Sequence, residues 1–176
     1  MVINTGSNVV STGLHVQNTG SATITNQGTL STTTNITNAS GATLNGNGLW
    51  QLGGNWVNAG TFTAGTSTVL FNGSGASTVE AGGAAFYKLH LNKTNNNLTL
   101  ASAVTANDTI RFLANNNKII CAGFDFTAGS VATAGRNGVL VRSLPVAEAE
   151  RYLEWRDGFL TFDDTSLAAA AAEFNR

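Results

Sequence analysis

Charge is what this chain has least of. From Met1 to Val79 there is no Lys, Arg, Asp or Glu, and over all 176 residues only 11% are charged, well under the quarter or so of ordinary globular domains. Acid–base catalysis needs a titratable group, and that first stretch offers only His15. It reads as scaffold or contact surface. The formal net charge of −1 supplies no field to draw in nucleic acid or an anionic membrane, and no basic stripe is interleaved with aromatics. No apolar run approaches the roughly 20 residues needed to cross a bilayer, so membrane insertion is not expected. Met1 is not followed by a charged segment and an apolar signal stretch, so a mature form or an excised fragment is expected. The single cysteine, Cys121, excludes an internal disulfide framework; because it alternates with Ile119, a buried thiol is the expectation.

Asn, Thr, Ser, Gly and Ala fill the space that charge leaves, and short β-favouring runs punctuate them. In Gly54 to Gly73, GNWVNAGTFTAGTSTVLFNG, the runs Trp56-Val57, Thr61-Phe62-Thr63 and Thr68 to Phe71 are aromatic or β-branched and too short for helices. Gly60, Gly65 and Gly73 recur at the corners between them, beside Asn58 and Asn72. The corner pattern returns at Asn18-Thr19-Gly20, Asn38-Ala39-Ser40-Gly41 and Asn58-Ala59-Gly60, at intervals of roughly 20 residues that fall within the range of solenoid repeats. A unit this small buries its apolar side chains only by stacking on its neighbours. The spacing is uneven, which predicts an irregular solenoid.

Alternation assigns the faces. Tyr87, Leu89 and Leu91 are expected inward, with Lys88 and His90 outside; Leu98, Leu100, Val104, Ile110 and Phe112 continue the inward set, with Thr99 and Arg111 outward. Ile119, Cys121, Phe124 and Phe126 predict a further coil with Asp125 on the solvent side, and Val139-Leu140-Val141 a last one. The runs Asn95-Asn96-Asn97 and Asn115-Asn116-Asn117 read as corners, where stacked amides can form ladders.

The NW-x-N-x-GTF element at Asn55 to Phe62 and the TV-x-FNG element at Thr68 to Gly73 resemble repeat segments of large secreted surface proteins of Gram-negative bacteria, adhesin-like chains with a right-handed parallel β-helix. The likeness covers about residues 20 to 130. It implies export, a long shaft and a role in attachment or cell-surface structure, and no catalytic residues.

Beyond about Val139 the composition changes. Most acidic residues and several arginines lie after Leu140, and Pro145, the only proline, lacks the N–H a strand ladder needs. Ala147 to Leu153 predicts a short helical turn, Phe159 to Phe162 a strand, and Asp163-Asp164-Thr165 the cap of an alanine-rich helix to about Asn175. The run YLEWRDGFLTFDDTSLAAAAAEFNR over residues 152–176 resembles the C-terminal periplasmic part of FecR-type sigma-factor regulators. The resemblance implies a periplasmic signalling role for a parent protein; here the tail is expected to serve as a cap or a graft.

The expected fold is therefore all-β: one right-handed single-stranded parallel β-helix over residues 1–142 with a small strand-helix tail over 143–176. The expected function is a non-enzymatic structural or adhesive module, extracellular or at the cell surface. Its partners would be a protein or glycan, or other copies end to end; no nucleic acid, cofactor or metal is expected. Trp50 and Trp56 are candidate contacts if exposed, although both suit a core, and Lys88 and His90 are the outward candidates. A periplasmic signalling fragment is the alternative. A carbohydrate-active β-helix enzyme is the third reading, and it requires Lys88, Asp108 and Asp125 to converge. Asp163-Asp164 fit a helix cap better than a catalytic pair. The pairs Thr23/Thr25 and Thr61/Thr63 invite an ice-binding reading, against which they do not recur at one position in every coil.

Overall fold

The computed structural model describes residues 1–13, 15–94, 96–114, 117–135 and 138–142, with side-chain burial as far as Gly129. The expected tail over 143–176, with its helix, strand and Asp163-Asp164 cap, lies outside them, as do Asn95, Asn115 and Asn116. Every described element is a strand, and together they form a parallel β-solenoid. The first coil is β1 (Val2–Ile3), β2 (Asn8–Ser11) and β3 (Val16–Asn18); the second β4 (Thr23–Asn26), β5 (Thr29–Thr32) and β6 (Ile36–Asn38). The third is β7 (Thr43–Asn45), β8 (Leu49–Leu52) and β9 (Trp56–Asn58), and the fourth β10 (Thr61–Thr63), β11 (Thr68–Phe71) and β12 (Ser77–Glu80). Then follow β13 (Phe86–Leu91), β14 (Leu98–Leu100), β15 (Val104–Phe112), β16 (Ile119–Ile120), β17 (Phe126–Gly135) and β18 (Gly138–Arg142).

Successive strands fall into three sheets. One holds β1, β4, β7 and β10; a second runs from β2 through β5, β8, β11, β13 and β15 to β17 and β18; the third runs from β3 through β6, β9, β12 and β14 to β16. Strands in neighbouring coils pair in parallel, so each inward position forms a column. Leu30, Trp50, Val69, Leu89 and Ile110 are one such column, and Ile36, Trp56, Val79 and Leu100 another. All nine are at most 2% exposed, so the core runs along the axis, and each apolar side chain is covered by those above and below. Trp50, Trp56, Phe62 and Phe86 meet there edge to face, Trp56 and Phe62 with ring centres 4.9 Å apart, the arrangement that aromatic quadrupoles favour.

The corner from the third sheet into the first is built on asparagine. Asn18, Asn38 and Asn58 stack in one column and are buried. The Nδ2 of Asn18 donates to Oδ1 of Asn38 at 2.9 Å, and that of Asn38 to Oδ1 of Asn58 at 2.8 Å. The same amide of Asn38 reaches the carbonyls of Ala42 and Thr61, and Asn58 closes the ladder on the carbonyl of Ala81 at 2.9 Å. A buried amide is tolerable because its polar atoms are satisfied. Gly60 leaves the space this needs, since a Cβ there would lie 2.4 Å from the carbonyl oxygens of Ala39 and Ala42. Ala81 takes the ladder position in the next coil, and from there the chain enters β13 without a strand in the first sheet, which ends at β10.

Several sequence expectations are corrected. Phe86, not Tyr87, faces inward beside Leu89 and Leu91, because a register shift between Phe86 and Lys88 breaks the alternation. Cys121 is exposed and Phe124 is 42% exposed, since the turn after the two-residue β16 has no further strand of that sheet beyond it among the described residues. Val139 to Val141 do pair, but β18 runs antiparallel to β17, with Val131 opposite Arg142, so they form a hairpin arm in place of a stacked coil. The amide ladder sits at Asn18, Asn38 and Asn58, whereas Asn96 and Asn117 bond backbone atoms of Ser74 and Lys93.

Asn38→Ala is expected to lower the unfolding free energy by about 3 kcal/mol, because a donor and several acceptors inside the corner lose their partner. Gln51→Ala on an outer face is expected to change it by less than about 0.5 kcal/mol. Urea unfolding of both variants checks this, and similar small losses in the two would remove the ladder from the account.

Candidate functional site

Side chains that point away from the core form columns too. On the second sheet, Thr29, Leu49, Thr68, Lys88 and Thr109 make one outer column, and Ser31, Gln51, Leu70, His90 and Arg111 its neighbour. The first three members of each are uncharged and non-titratable; Lys88, His90 and Arg111 follow them. Lys88 and His90 point outward as their alternation in sequence requires, both half-buried. Lys88 Nζ lies 3.7 Å from a carboxylate oxygen of Asp108 and 5.4 Å from the centre of the Tyr87 ring. Arg111 is exposed next to His90. Burial, then the positive charges of Arg111 and Lys88, push the His90 pKa below its ordinary value, against a smaller opposing pull from Asp108. The imidazole is therefore neutral at neutral pH and sits in a positive local field.

Trp50 and Trp56 are 0% and 1% exposed, which removes them as contacts and makes them core; strand alternation places both inward. Lys88 and Asp108 come together, but Asp125 does not join them. Its carbonyl accepts from Val104 N–H at 3.0 Å, which puts it at the start of β15, on the order of 13 Å along the strand from Asp108 at about 3.3 Å per residue. Lys88, Asp108 and Asp125 therefore do not converge. His15 is exposed and remote in sequence from the charged columns. Among the described residues no group of three or more His, Cys, Asp or Glu is placed to hold a metal ion.

The first sheet gathers the threonines. Thr23, Thr43 and Thr61 share one register, and Thr25, Asn45 and Thr63 the next. The array spans three coils and stops where the sheet stops, so the pairs align with one another without extending to every coil.

Lys93 is a residue that no sequence signal singled out, standing in an Asn-rich corner that reads as solvated. Its side chain is fully buried. Nζ donates to Ser77 Oγ at 2.8 Å and to the Gly73 carbonyl at 3.4 Å, while Asn117 bonds its backbone N–H and C=O from the next coil. No carboxylate pairs with it among the described residues, and desolvation lowers its pKa from the ordinary 10.5. With no access to solvent, the amine fastens the corner and has no substrate to act on.

Compared with protein-family models, with curated proteins and with solved structures, the chain shows no match.

A lysine whose folded pKa is lowered binds its proton more weakly in the folded than in the unfolded chain, so the folded state gains stability as pH rises through the folded pKa toward 10.5. Denaturant unfolding at increasing alkaline pH is expected to show that rise in the native chain and a flatter profile in Lys93→Met. A parallel profile in the two would mean that Lys93 is not the group responsible.

Proposed function

We propose that the chain is a non-enzymatic adhesive and structural module of an extracellular bacterial surface protein. The observation that carries the reading is the charge-free outer surface of the first coils: up to Val79 the outward columns are Thr, Ser, Asn, Gln, Leu and Val, groups that make contacts and do not move protons. The resemblance to adhesin-like repeats supports it. Its distinguishing residues serve the architecture, since Trp56, Phe62 and Phe71 are buried in the core and Asn58 closes the amide ladder. Function in such a chain belongs to the outer columns, free to vary over a constant interior. A glycan or a protein at a surface is the partner class that suits them. Copies stacking end to end are the weaker version of the reading, because a parallel coil added beyond β17 would meet the antiparallel β18. The alternative, a periplasmic signalling fragment, rests on residues 152–176, outside the described ones, and no observation favours it.

Beads carrying the full chain are expected to adhere to glycan- or protein-coated surfaces, and beads carrying a version without residues 143–176 to adhere equally. Loss of adhesion with the tail would transfer the function to the tail and contradict the proposal.

A further inference from the structure

Between the first and second sheets the corners form a shallow open groove of about 690 Å³ that crosses the coils onto the outer face of the second sheet. It starts at Ser7 and Asn8, passes Gln27 and Asn47, and ends on Leu70 and His90. Three of its corner residues are glycines, Gly6, Gly28 and Gly48, and at the last two the neighbouring coil comes too close for a side chain: a Cβ on Gly48 would lie 2.4 Å from the Gly28 carbonyl oxygen.

The polar groups along it are fixed in advance. Gln27 Oε1 accepts from Asn47 N–H at 3.2 Å, and Asn47 Oδ1 accepts from Thr66 N–H at 2.9 Å. Each amide is thereby held by the coil above, and its NH2 group has no acceptor among the described residues and stays free to donate outward. The two amides stand one coil apart, at the sheet spacing of about 4.8 Å. Thr29 and Thr68 add hydroxyls, while Leu49 and Leu70 form an apolar floor. The backbone N–H and C=O groups of these inner strands are already spent on the coils above and below, so a peptide has no strand edge to extend here. A chain of hydroxyl-rich rings, apolar on one ring face and advancing by about one coil per ring, meets each of these features.

The groove is uncharged until its end, where His90 stands beside Arg111, with Lys88 two residues from His90 on the same face. Lys88 is occupied by Asp108. Arg111 has no ion-pair partner among the described residues and presents a planar fork that suits a carboxylate. We propose that the groove binds an acidic oligosaccharide, with its neutral hydroxyls along the Gln27 and Asn47 amides and a uronate-type carboxylate on Arg111 and His90. The inference rests on the non-enzymatic surface reading above and names the ligand class for it.

The test uses the full chain with a linear oligouronate and the methyl ester of the same oligomer, binding being followed by calorimetry and by the side-chain amide NMR signals of Gln27 and Asn47. The acid is expected to bind more tightly than the ester and to shift those signals. Arg111→Gln is expected to weaken binding of the acid by about tenfold or more and to bring it level with the ester, since one charge-assisted hydrogen-bond pair is lost. Thr68→Trp, on the outer face, fills the groove and is expected to abolish binding of both; circular dichroism confirms that each variant is folded. Equal binding of acid and ester, an unchanged affinity in either folded variant, or preference for an acidic peptide over the oligouronate would overturn the proposal. If bead adhesion persists while the oligouronate does not bind, the groove assignment fails and the adhesive reading stands. Recovery of shortened oligouronate would overturn both, because the module would then be cutting its ligand.

Discussion

The buried amides of Asn18, Asn38 and Asn58 are what the coil geometry depends on. A solenoid turn must reverse direction while its backbone polar groups leave the sheet ladders, and inside a core each group left over costs roughly 1–3 kcal/mol. The Nδ2 of Asn38 serves three oxygens at once: Oδ1 of Asn58 and the carbonyls of Ala42 and Thr61. Its own Oδ1 accepts from Asn18. Because each amide bonds the next one 20 residues on, the ladder reinforces the register that the buried apolar face already sets between coils. Where alanine replaces asparagine at position 81, the first sheet is discontinued and the chain goes over to the long strands β13, β15 and β17.

Charge enters the chain at the same point. Glu80 is the first charged residue, next to Ala81. Three coils, and the fourth as far as Val79, carry no charged side chain and leave the outer columns to neutral residues such as threonine, serine, glutamine and leucine, and several of the ionisable groups that follow lie together on the outer face of the second sheet at Lys88, His90, Asp108 and Arg111. Bulges at Phe86/Lys88 and Ala106/Thr109 accompany that change, and bulges re-aim side chains. One end of the structure is thus a uniform neutral stack and the other carries a directed positive edge, on the same continuous sheet.

Most of the fold was legible because its signals are local and repeated. The interval between Asn-rich corners, the period-two alternation in Leu49 to Leu52 and Thr68 to Phe71, and the outward placement of Lys88, His90 and Arg111 each follow from spacing alone. What spacing could not show was the fate of irregular positions. The bulge that turns Phe86 inward depends on how β13 lies on β15, and the exposure of Cys121 and Phe124 depends on the third sheet ending at β16. Nothing in the sequence around Lys93 marks it as buried, because the carbonyl of Gly73 and the hydroxyl of Ser77 that receive it come from the coil before. The corner asparagines were visible as corners, but their role as a continuous inter-coil ladder needed the register. The groove was equally invisible, since it is lined by corner and strand residues that lie a whole coil apart in sequence.

The interior is apolar in every coil and the outer columns differ from coil to coil, so the repeat itself rests on the interior, its amides included. The most direct measurement is hydrogen exchange at the side-chain NH2 groups of Asn18, Asn38 and Asn58 against that of the exposed Asn47, read by NMR. The Asn38 amide is expected to exchange only through opening of the whole stack, as slowly as the backbone amides of the core strands. Exchange at Asn38 as fast as at Asn47 would mean that the ladder is not formed in solution, and the register argument would fall with it.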